Sequence, residues 1–365
     1  MTLDVGFLGY GFMGKAHANA LARQPMFFPD APATNRDVLI GRNEEAVQEA
    51  ADRFGFDRVA TDWRDVVDEI DVFYNLGPNQ VHAEPTIAAL KSDVHVLCEK
   101  PLAPDIETAR EMRNVARDSD AVAATSFNYR YIPAIQLAKR LVDGGALGEI
   151  YRFKGRYLQD WLVDPEIAWN WRCDQDIAGS GVVGDVGSHT IDLAQWIVGD
   201  IERVTGSLQT QISERPAPDG EGTREVSTDD EYSALVEFEN GAQGVLEGSR
   251  VATGRKADNA IEIYGSEGAL EFSLRRLNEL RFKGADDREY QELLVTEPDD
   301  PYMDAWWPAG HIIGWEHAMV HEHYEFLKSI GEGTRHRPDF GDGFAVQQVV
   351  DAIQRSDKRD EWISP

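Results

Sequence analysis

Basic residues are scarce in this chain. Its 365 residues include 36 Lys and Arg against 65 Asp and Glu, which gives a formal net charge of −29. Nucleic-acid phosphates are neutralised by clustered Lys and Arg, and an anionic membrane surface repels an acidic protein. We therefore expect neither a nucleic-acid partner nor a membrane partner.

Cysteine and long apolar runs are also scarce. The two cysteines, Cys98 and Cys173, are too few for a disulfide framework, which fits a reducing compartment. No stretch approaches the roughly 18 unbroken apolar residues of a membrane-spanning helix. The N-terminal residues lack a basic region and carry Asp4 within their apolar run, which argues against a secretory signal. We expect a cytoplasmic protein.

Lysine is the rarer of the two strongly basic residues. Nine of the 36 basic residues are lysines and the other 27 are arginines. A surface with many carboxylates and few lysines suits a protein dissolved in concentrated salt, where screening weakens self-repulsion. We hypothesise a halophilic source. Disorder is not indicated, because 42% of the residues are hydrophobic and nine are tryptophan.

The first third of the chain has a clear order of strands and helices. Short apolar segments alternate with amphipathic helices, which is typical of a parallel sheet with crossover helices. The predicted strands are residues 3–8, 37–40, 72–76, 94–98 and 121–126. We predict an α/β fold whose N-terminal Rossmann domain, a doubly wound parallel sheet, covers residues 1–126.

The pattern changes after about residue 127. Longer strands are predicted at 149–158, 204–212, 232–239, 242–250 and 260–264, and helices at 133–142, 184–198, 315–330 and 343–356. They predict a C-terminal α+β domain over 127–365 with a large, mostly antiparallel open sheet. Its uncovered face favours a homo-oligomer, and its last helices can pack back near the Rossmann domain. The acidic stretch 214–230 is predicted to be an exposed loop.

A glycine-rich segment follows the first predicted strand and opens a helix. Its residues are Gly9, Tyr10, Gly11, Phe12, Met13 and Gly14. The first glycine permits a tight turn, the second lets backbone N–H groups approach a pyrophosphate, and the third allows close helix–strand packing. The helix N-terminus also favours phosphate charge. We predict that this segment binds a dinucleotide; the alternative is a glycine-rich turn without a ligand.

The second predicted strand ends in Gly41, Arg42 and Asn43, where an acidic residue is expected if the ribose hydroxyls of NAD are to be held. Gly41 leaves space, and the Arg42 guanidinium suits a 2′-phosphate. These residues favour NADP over NAD. The alternative is that Arg42 stacks on adenine while Asn43 or Glu44 holds the ribose.

A lysine follows a later strand of the same domain, in the sequence Glu99-Lys100-Pro101. Open α/β sheets bind their ligands at this end of the strands, and a lysine there can hydrogen-bond a substrate hydroxyl. A surface role is the alternative. In a chain with so few lysines, we predict that Lys100 belongs to a ligand site.

Asp185 and His189 stand four residues apart in a predicted helix, which places both on one face, and Asp192 extends that face. Moving a hydride from a carbinol carbon requires a base for the hydroxyl proton. Histidine titrates near neutrality, and an aspartate can orient it or relay the proton. We predict a catalytic pair; the alternative is an Asp–His pair on a helix surface.

Two other groups of residues are less specific. His311, His317, His321 and His323 include a four-residue spacing, but no carboxylate or cysteine completes a metal site, so we predict no metal and leave packing or substrate-edge roles open. The tryptophans between 161 and 171 stand among polar residues, and aromatic faces with polar groups suit a sugar ring. The alternative for the tryptophans is core packing.

Together these segments resemble the Gfo/Idh/MocA family, named for glucose–fructose oxidoreductase, inositol dehydrogenase and a rhizopine-catabolism protein. The resemblance covers nearly the whole chain. It rests on GYGFMG with His17, GPNQVH at 77–82, CEKPL at 98–102, FNYRYIPA at 127–134 and GDVGSHTID at 184–192. Residues 159–161 with Trp171 and Arg172 are similar to the branch that contains inositol and levoglucosan dehydrogenases.

The resemblance implies an NAD(P)-dependent dehydrogenase of sugars, inositols or related polyols that forms a homodimer or homotetramer through its C-terminal sheet. It implies that Lys100, Asp185 and His189 form the catalytic set. The implied cofactor contacts extend to Gly77, Pro78, Asn79, His82, Glu99 and Lys100. The implied substrate contacts are Lys100, Tyr129, Trp161, Trp171, Arg172, Asp185 and His189.

We predict oxidation of a secondary hydroxyl of a cyclic sugar, inositol or polyol, with hydride transfer to nicotinamide. His189 is the expected general base, Lys100 holds the reacting oxygen, and Asp185 orients the base or relays the proton. The rival is a non-catalytic NAD(P)-binding regulator of the same fold, which need not keep all three residues. Reduction of a small unsaturated or imine substrate is a weaker alternative.

Overall fold

The computed structural model describes residues 2–365. Up to residue 125 its elements are β1 (Thr2–Leu8), α1 (Phe12–Phe27), β2 (Ala33–Ile40), α2 (Glu44–Phe54), β3 (Arg58–Ala60), β4 (Val72–Asn75), α3 (Ala83–Lys91), β5 (His95–Cys98), α4 (Ile106–Asp118) and β6 (Ala123–Thr125). The predicted strands and helices are present and alternate as expected, but β3 was not predicted, and no α-helix separates it from β4.

The later elements begin with helix α5. They are α5 (Pro133–Asp143), β7 (Ile150–Leu158), α6 (Gln175–Ala178), α7 (Val182–Asp185), α8 (Gly187–Val198), β8 (Ile201–Gln209), β9 (Glu214–Pro216), β10 (Thr223–Glu225), β11 (Glu231–Phe238), β12 (Gln243–Ser249), β13 (Asp258–Gly265), β14 (Gly268–Ser273), β15 (Glu279–Gly284), β16 (Gln291–Leu294), α9 (Glu316–Glu332) and α10 (Phe340–Arg359). Over residues 2–365, no helix is long and apolar enough to cross a membrane.

The chain forms two compact units. The first contains the chain up to Tyr131 together with Gly314–Phe344, and the second contains Ile132–Ile313 together with Ala345–Pro365. Helix α9 therefore belongs to the first unit, although it lies close to the C-terminus in sequence.

The first unit is built on a six-stranded sheet in the order β3-β2-β1-β4-β5-β6. Every neighbouring pair of strands in it is parallel. Adjacent residues of β5 belong to different apolar clusters, Val96 to one and Leu97 to the other. Since successive strand residues point to opposite faces, the sheet is buried on both sides. The predicted Rossmann sheet is confirmed.

The second unit is built on an eight-stranded sheet in the order β16-β15-β14-β13-β7-β12-β11-β8. Strands β7 and β12 are parallel, and the other neighbouring pairs are antiparallel. Helix α8 packs closely on β7, because a Cβ on Gly155 would lie 2.2 Å from Cγ2 of Thr190. The predicted large, mostly antiparallel sheet is confirmed.

Three details predicted for this unit are wrong. The helix predicted over 184–198 is broken at Val186, between α7 and α8. The stretch 214–230 contains strands β9 and β10, and its Arg215 and Asp230 are fully buried rather than exposed. Strands β14, β15 and β16 were not predicted, because their charged residues obscure the apolar alternation.

Candidate active site

A cavity of 750 Å³ lies in the first unit, at the carboxyl ends of β1, β2 and β4. Its lining residues come from loops that follow these strands and β3. They are Leu8, Gly9, Tyr10, Ile40, Gly41, Arg42, Asn43, Thr61, Asp62, Trp63, Arg64, Gly77, Pro78, Gln80 and Val81. From β1 the chain continues through β2 to β3 at one edge of the sheet, and from β4 it continues through β5 to β6 at the other edge. Open α/β sheets bind ligands between two such neighbouring strands, where the strand order reverses.

The three glycines of the loop after β1 have different surroundings. Gly9 has φ +108°, and a Cβ there would lie 2.8 Å from the carbonyl oxygen of Leu76. A Cβ on Gly14 would lie 2.5 Å from the carbonyl oxygen of Gly9, whereas one on Gly11 would meet no atom within 4 Å. Gly9 and Gly14 are therefore needed for the turn and its packing. The open space at Gly11, before the N-terminus of α1, fits a pyrophosphate.

The ring of Tyr10 occupies the space beside Gly41. A Cβ on Gly41 would lie 2.2 Å from Cε1 of Tyr10, so a larger residue at 41 requires the ring to move. Asn43 caps α2, since its side-chain oxygen accepts a hydrogen bond from the backbone N–H of Ala46 at 3.0 Å. Arg42 is exposed and forms no ion pair within residues 2–365. Its guanidinium is thus available to a ligand.

Asp62, Trp63 and Arg64 also line the cavity, and sequence reasoning missed them. The backbone N–H of Arg64 donates to Asp62 at 3.0 Å, and this bond holds the pKa of the Asp62 carboxyl below its usual value. The lining of the cavity therefore includes the Asp62 carboxylate, which is paired with the Arg64 guanidinium at 3.1 Å, and the Arg42 guanidinium. These residues were missed because β3 has only three residues and gives almost no apolar signal.

His82 connects the predicted cofactor segment 77–82 to the segment 99–101, which contains Lys100. This buried imidazole has Nε2 3.0 Å from the carbonyl oxygen of Gly77 and Nδ1 3.1 Å from that of Pro101. Burial lowers the pKa of His82 by more than these backbone hydrogen bonds raise it. Gly77 and Pro78 line the cavity, and Asn79 is buried beside them in sequence.

Lys100 follows β5 directly after the buried Glu99. One carboxylate oxygen of Glu99 lies 3.0 Å from Nε2 of His17, and the other accepts a hydrogen bond from the backbone N–H of Lys100 at 3.1 Å. Burial alone raises the pKa of Glu99, but the bond to His17 and the nearby charge of Lys100 outweigh it, so the net shift is downward. Glu99 is therefore ionised at neutral pH.

Phe12 and Tyr129 are linked through a tryptophan that sequence reasoning missed. Phe12 is exposed and stacks on Trp315 with 5.8 Å between ring centroids, while Met13 beside it is half-buried. Nε1 of Trp315 donates to the hydroxyl of buried Tyr129 over 3.4 Å. No motif marks Trp315, because it lies more than 180 residues from either partner in sequence.

Asp185 and His189 lie in the second unit, on either side of the helix break. Asp185 ends α7, and His189 lies in the first turn of α8, with its ring 6.1 Å from that of Tyr157. Their spacing predicted that both residues lie on one continuous helix. This prediction is wrong, because they lie on two separate helices. Asp192 belongs to α8 and is buried. The chain passes close to Tyr232 at the break, where a Cβ on Gly187 would lie 2.8 Å from the ring.

Two of the predicted substrate residues lie beside Asp185. The guanidinium of Arg172 lies over the ring of Trp171 at 4.3 Å, and its Nε is 3.7 Å from the Asp185 carboxylate. Trp161 is partly exposed in the loop after β7. This loop is held by the backbone N–H of Leu162, which donates to the carbonyl of Arg250 at 3.0 Å.

A buried arginine connects this region to the segment that was predicted to be an exposed loop. Arg250 is fully buried, and its Nη2 donates to the carbonyl of Asp229 at 2.7 Å. The same guanidinium lies 3.7 Å from the Asp230 carboxylate and 4.0 Å from that of Asp185. The Asp229 carboxylate accepts hydrogen bonds from the backbone N–H groups of Gly181 at 2.8 Å and Val183 at 3.0 Å. These contacts fix the backbone that leads to Asp185.

The four clustered histidines have separate partners. Nδ1 of His321 lies 2.9 Å from the carbonyl of Tyr131, and Nε2 of His323 lies 2.8 Å from His17. His317 accepts a hydrogen bond from the backbone N–H of Gly314, and His311 contacts the carbonyl of Pro308. Among residues 2–365, no three His, Cys, Asp or Glu side chains form a group that could hold a metal ion.

Comparison with known proteins decides the family. Residues 3–127 match the model of an oxidoreductase family with an NAD-binding Rossmann fold, and residues 135–271 match the GFO/IDH/MocA C-terminal domain. The chain belongs to the Gfo/Idh/MocA family. The resemblance inferred from the motifs is confirmed.

Similar proteins include named sugar and polyol dehydrogenases. A levoglucosan dehydrogenase of Pseudarthrobacter phenanthrenivorans is 40% identical over 99% of this chain and 98% of its own. An inositol 2-dehydrogenase of Rhizobium meliloti is 25% identical over 98% of this chain and 97% of its own. The solved structure of a levoglucosan dehydrogenase in complex with NADH and levoglucosan has a TM-score of 0.97, 40% identity, and covers 100% of this chain and 99% of the other.

Because the chain belongs to this family and is similar to these dehydrogenases, it is an oxidoreductase that acts on the hydroxyl groups of sugars or polyols. The prediction of an NAD(P)-dependent dehydrogenase is confirmed at that level. The cavity in the first unit, with its glycine loop and helix N-terminus, fits the dinucleotide that such an enzyme uses.

Proposed function

We propose that the chain oxidises levoglucosan or a closely related cyclic sugar. The observation that carries this proposal is the likeness to a levoglucosan dehydrogenase, which extends over nearly the full length of both chains. A likeness of that extent includes the glycine loop, the lysine segment and the aspartate–histidine segment, so it concerns the whole set of candidate site residues.

Three side chains are proposed to carry out the proton chemistry. Lys100 donates a hydrogen bond to the reacting oxygen and stabilises the negative charge that develops there. His189 accepts the hydroxyl proton as general base, and Asp185 orients the imidazole or relays the proton. The bound nicotinamide supplies the acceptor for the hydride. Arg172 supports these roles because it holds a positive charge beside the Asp185 carboxylate.

Four further residues are proposed to bind the sugar. Trp161 and Trp171 offer aromatic faces to the apolar side of the ring, while Tyr129 and Arg172 offer hydrogen bonds to its hydroxyl groups. The stacking of Arg172 on Trp171 supports this assignment, because it holds an aromatic face and several N–H donors side by side.

The choice between NAD and NADP is proposed to depend on two cavity residues. The exposed Arg42 favours the 2′-phosphate of NADP, as Gly41 and Arg42 predict, whereas the ionised Asp62 repels it. Catalytic efficiency with each cofactor tests this, and a tenfold preference for NAD, about 1.4 kcal/mol, would overturn the lean towards NADP. We expect Arg42→Ala to lower efficiency with NADP and Asp62→Asn to raise it, with little change for NAD.

The two domains are proposed to have separate tasks, with residues 1–126 binding the dinucleotide and 127–365 binding the sugar and a second copy of the chain. A row of side chains across the open face supports the oligomer. Strand register aligns Leu235, Val245, Lys154, Glu262, Glu271, Arg281 and Glu292. Light scattering on the purified protein tests the proposal, and a monomer at all concentrations would contradict it.

A halophilic, cytoplasmic setting is proposed from the composition. The chain has a net charge of −29, and Cys98 and Cys173 are buried and free. We expect the melting temperature to rise steeply with KCl, because salt screens the repulsion between carboxylates. Equal stability at low and multimolar KCl would contradict the halophilic assignment.

A substrate panel tests the reaction itself. Levoglucosan, inositol, xylose and glucose are each mixed with NAD or NADP, and the absorbance of the reduced nicotinamide is followed. We expect turnover with at least one cyclic sugar. Tight cofactor binding without turnover on any sugar or polyol would instead favour the non-catalytic regulator.

Single substitutions test the residue roles. Lys100→Ala and His189→Ala are each expected to lower kcat about 10²-fold or more, because each removes charge stabilisation or the base. Cofactor affinity, measured by fluorescence titration, serves as the control for correct folding. Turnover near that of the wild type in either variant would show that the assignment is wrong.

A further inference from the structure

Four buried side chains of the first unit form a continuous hydrogen-bonded chain that ends at the backbone of Lys100. The Tyr74 hydroxyl lies 3.4 Å from Nδ1 of His323, and Nε2 of His323 lies 2.8 Å from Nδ1 of His17. Nε2 of His17 lies 3.0 Å from Glu99, whose second oxygen accepts from the backbone N–H of Lys100 at 3.1 Å. We call Tyr74, His323, His17 and Glu99 the buried relay.

The relay joins four separate elements. Tyr74 comes from β4, His17 from α1, His323 from α9, and Glu99 follows β5. The side chains of Tyr74, His17 and His323 are fully buried, and Glu99 is 5% exposed. Buried polar groups are stable only when their hydrogen bonds are satisfied, so the proton positions in the relay are constrained.

An arrangement of protons with two neutral imidazoles satisfies every member of the relay. In it, His17 donates from Nε2 to the ionised Glu99, which can only accept, and Nδ1 of His17 accepts from His323. His323 then donates from Nε2 and accepts the Tyr74 O–H at Nδ1. Burial favours the neutral forms needed here, since it lowers the pKa of His323 and raises that of Tyr74. In this arrangement both imidazoles have the same tautomer, with the proton on Nε2.

We propose that His17, His323 and Tyr74 are positioning residues for Lys100. The relay holds the Glu99 carboxylate in one orientation and one charge state, and the carboxylate in turn holds the peptide N–H of Lys100. The Lys100 side chain begins from that fixed backbone. This inference rests on the proposed role of Lys100 at the reacting oxygen.

Packing is the competing explanation. The rings of His17, Tyr74 and His323 lie 5.0 to 5.9 Å apart by centroid, so they also fill space together. A packing role depends on side-chain volume. A positioning role depends on a donor and an acceptor at defined atoms. Substitutions that separate volume from hydrogen bonding therefore distinguish the two.

The test compares His323→Gln with His323→Leu. Glutamine can donate to His17 and accept from Tyr74, whereas leucine can do neither. With the best sugar of the panel, we expect His323→Leu to lower kcat about tenfold to a hundredfold while KM for the cofactor changes less than about threefold. His323→Gln should stay within a few-fold of wild type.

The matched control is His321, which is also fully buried on α9 but contacts the Tyr131 carbonyl instead of the relay. We expect His321→Leu to lower the melting temperature without the selective loss of kcat. If His321→Leu and His323→Leu lose kcat equally, or if His323→Gln is as impaired as His323→Leu, the positioning role is wrong.

A second measurement does not depend on turnover. Nitrogen-15 NMR of the imidazoles reports which ring nitrogens carry protons, and we expect a proton on Nε2 of His17, where it donates to Glu99. Tyr74→Phe, which keeps the ring volume, should alter the His323 signal and lower kcat a few-fold. A His17 ring without a proton on Nε2 would overturn the relay, because Glu99 would then lack this donor.

The two proposals can fail separately. If Lys100→Ala keeps wild-type turnover, the proposed catalytic role fails, while the tautomers still report whether the relay exists. If Lys100→Ala loses turnover but the relay variants do not, the catalytic role stands and the positioning role fails.

Discussion

The two units bury polar groups in different ways. The first unit buries a relay of three aromatic side chains that ends in one carboxylate, Glu99, whose oxygen lies 3.0 Å from Nε2 of His17. The second unit buries full charges, with the guanidinium of Arg250 surrounded by Asp229, Asp230 and Asp185. A hydrogen bond between neutral groups orients its donor and acceptor at a small cost of desolvation. A buried charge is stable only while all of its partners are present.

This difference matches what each unit has to hold. Under the proposed function, the loop after β1 in the first unit holds the dinucleotide, so the strand ends and the Lys100 peptide must be accurately placed. Under the same proposal, Asp185 is the group to be placed in the second unit, and the guanidinium groups of Arg172 and Arg250 lie 3.7 and 4.0 Å from its carboxylate. Loss of a charge should therefore damage the second unit more than loss of a neutral donor damages the first.

The largest effect is expected for Arg250→Leu. It removes the donor to the Asp229 carbonyl and leaves the buried Asp230 carboxylate without its guanidinium partner, which should lower the free energy of unfolding by about 3–5 kcal/mol. Urea denaturation of the second unit measures this loss. Arg250→Lys keeps the charge but not the fork of donors, so an intermediate loss is expected. A loss under about 1 kcal/mol for Arg250→Leu would remove the contrast between the units.

A smaller effect is expected for Gly9→Ala. The φ of +108° and the 2.8 Å approach to the Leu76 carbonyl should cost about 1–3 kcal/mol of stability. Gly11→Ala is the matched control, because a Cβ there meets no protein atom within 4 Å. We expect it to spare the melting temperature and weaken cofactor binding. Unchanged cofactor affinity in Gly11→Ala would show that the pyrophosphate does not approach this residue.

Acid should weaken the first unit before the second. Burial lowers the pKa of His321 to about 3 and that of His336 to about 4, below the value near 6.5 of the unfolded chain. Below pH 6.5 these histidines bind protons in the unfolded state but not in the folded state, so the stability of the folded state falls as pH drops towards 4. Burial raises the pKa of Asp229 in the second unit, so this carboxyl binds its proton more tightly in the folded state. Its contribution to the stability of the folded state is therefore present at low pH and decreases as pH rises above 4.

Hydrogen exchange measured segment by segment between pH 7 and 4.5 checks this order. Protection in α9, corrected for the slower intrinsic exchange of amides at lower pH, should decrease as pH falls, and His336→Gln should reduce this decrease. An equal decrease of protection in both units, with no effect of His336→Gln, would contradict the assignment of the acid sensitivity to buried histidines.

The smallest effect is expected for Asp143→Ala. The carboxylate of Asp143 forms an ion pair with Lys139 one turn earlier on α5, at the surface of the second unit. Exposed pairs of this kind contribute at most about 1 kcal/mol, because water and salt screen them. Thermal unfolding of Asp143→Ala and of Arg250→Leu is compared. The difference between their losses of stability measures the effect of burial on the cost of removing a charged partner. Similar losses in both variants would contradict the effect of burial.

Much of the first unit could be predicted from the sequence. Its predicted strands are short apolar runs between helices, and Gly9, Tyr10, Gly41, Arg42 and Asn43, which follow β1 and β2, line the cavity, whereas residues 11–14 do not. Such segments are continuous in sequence, and their conformation depends on local glycines, caps and apolar periodicity. Asp62 was missed because its strand is too short to give a pattern.

The second unit was harder to predict. The helix break at Val186 depends on the approach of Tyr232, 46 residues further along the chain. Arg215, Asp229 and Asp230 lie in an acidic, glycine-containing stretch, and such composition is typical of exposed loops. Their burial follows from hydrogen bonds to distant segments, such as Arg215 to the carbonyl of Leu162 at 2.6 Å. Local composition carries no information about such partners.

The sequence by itself determined the family, the glycine loop after β1, the alternation of strands and helices in the first unit and the choice of candidate catalytic residues. These features depend on neighbouring residues, so a short segment contains them completely. Only the tertiary structure decided that His17 meets His323 across 306 residues, and that Arg250 lies beside Asp185. Contacts of that kind arise when separate elements pack into a shared core, and periodicity within one element cannot encode its distant partner.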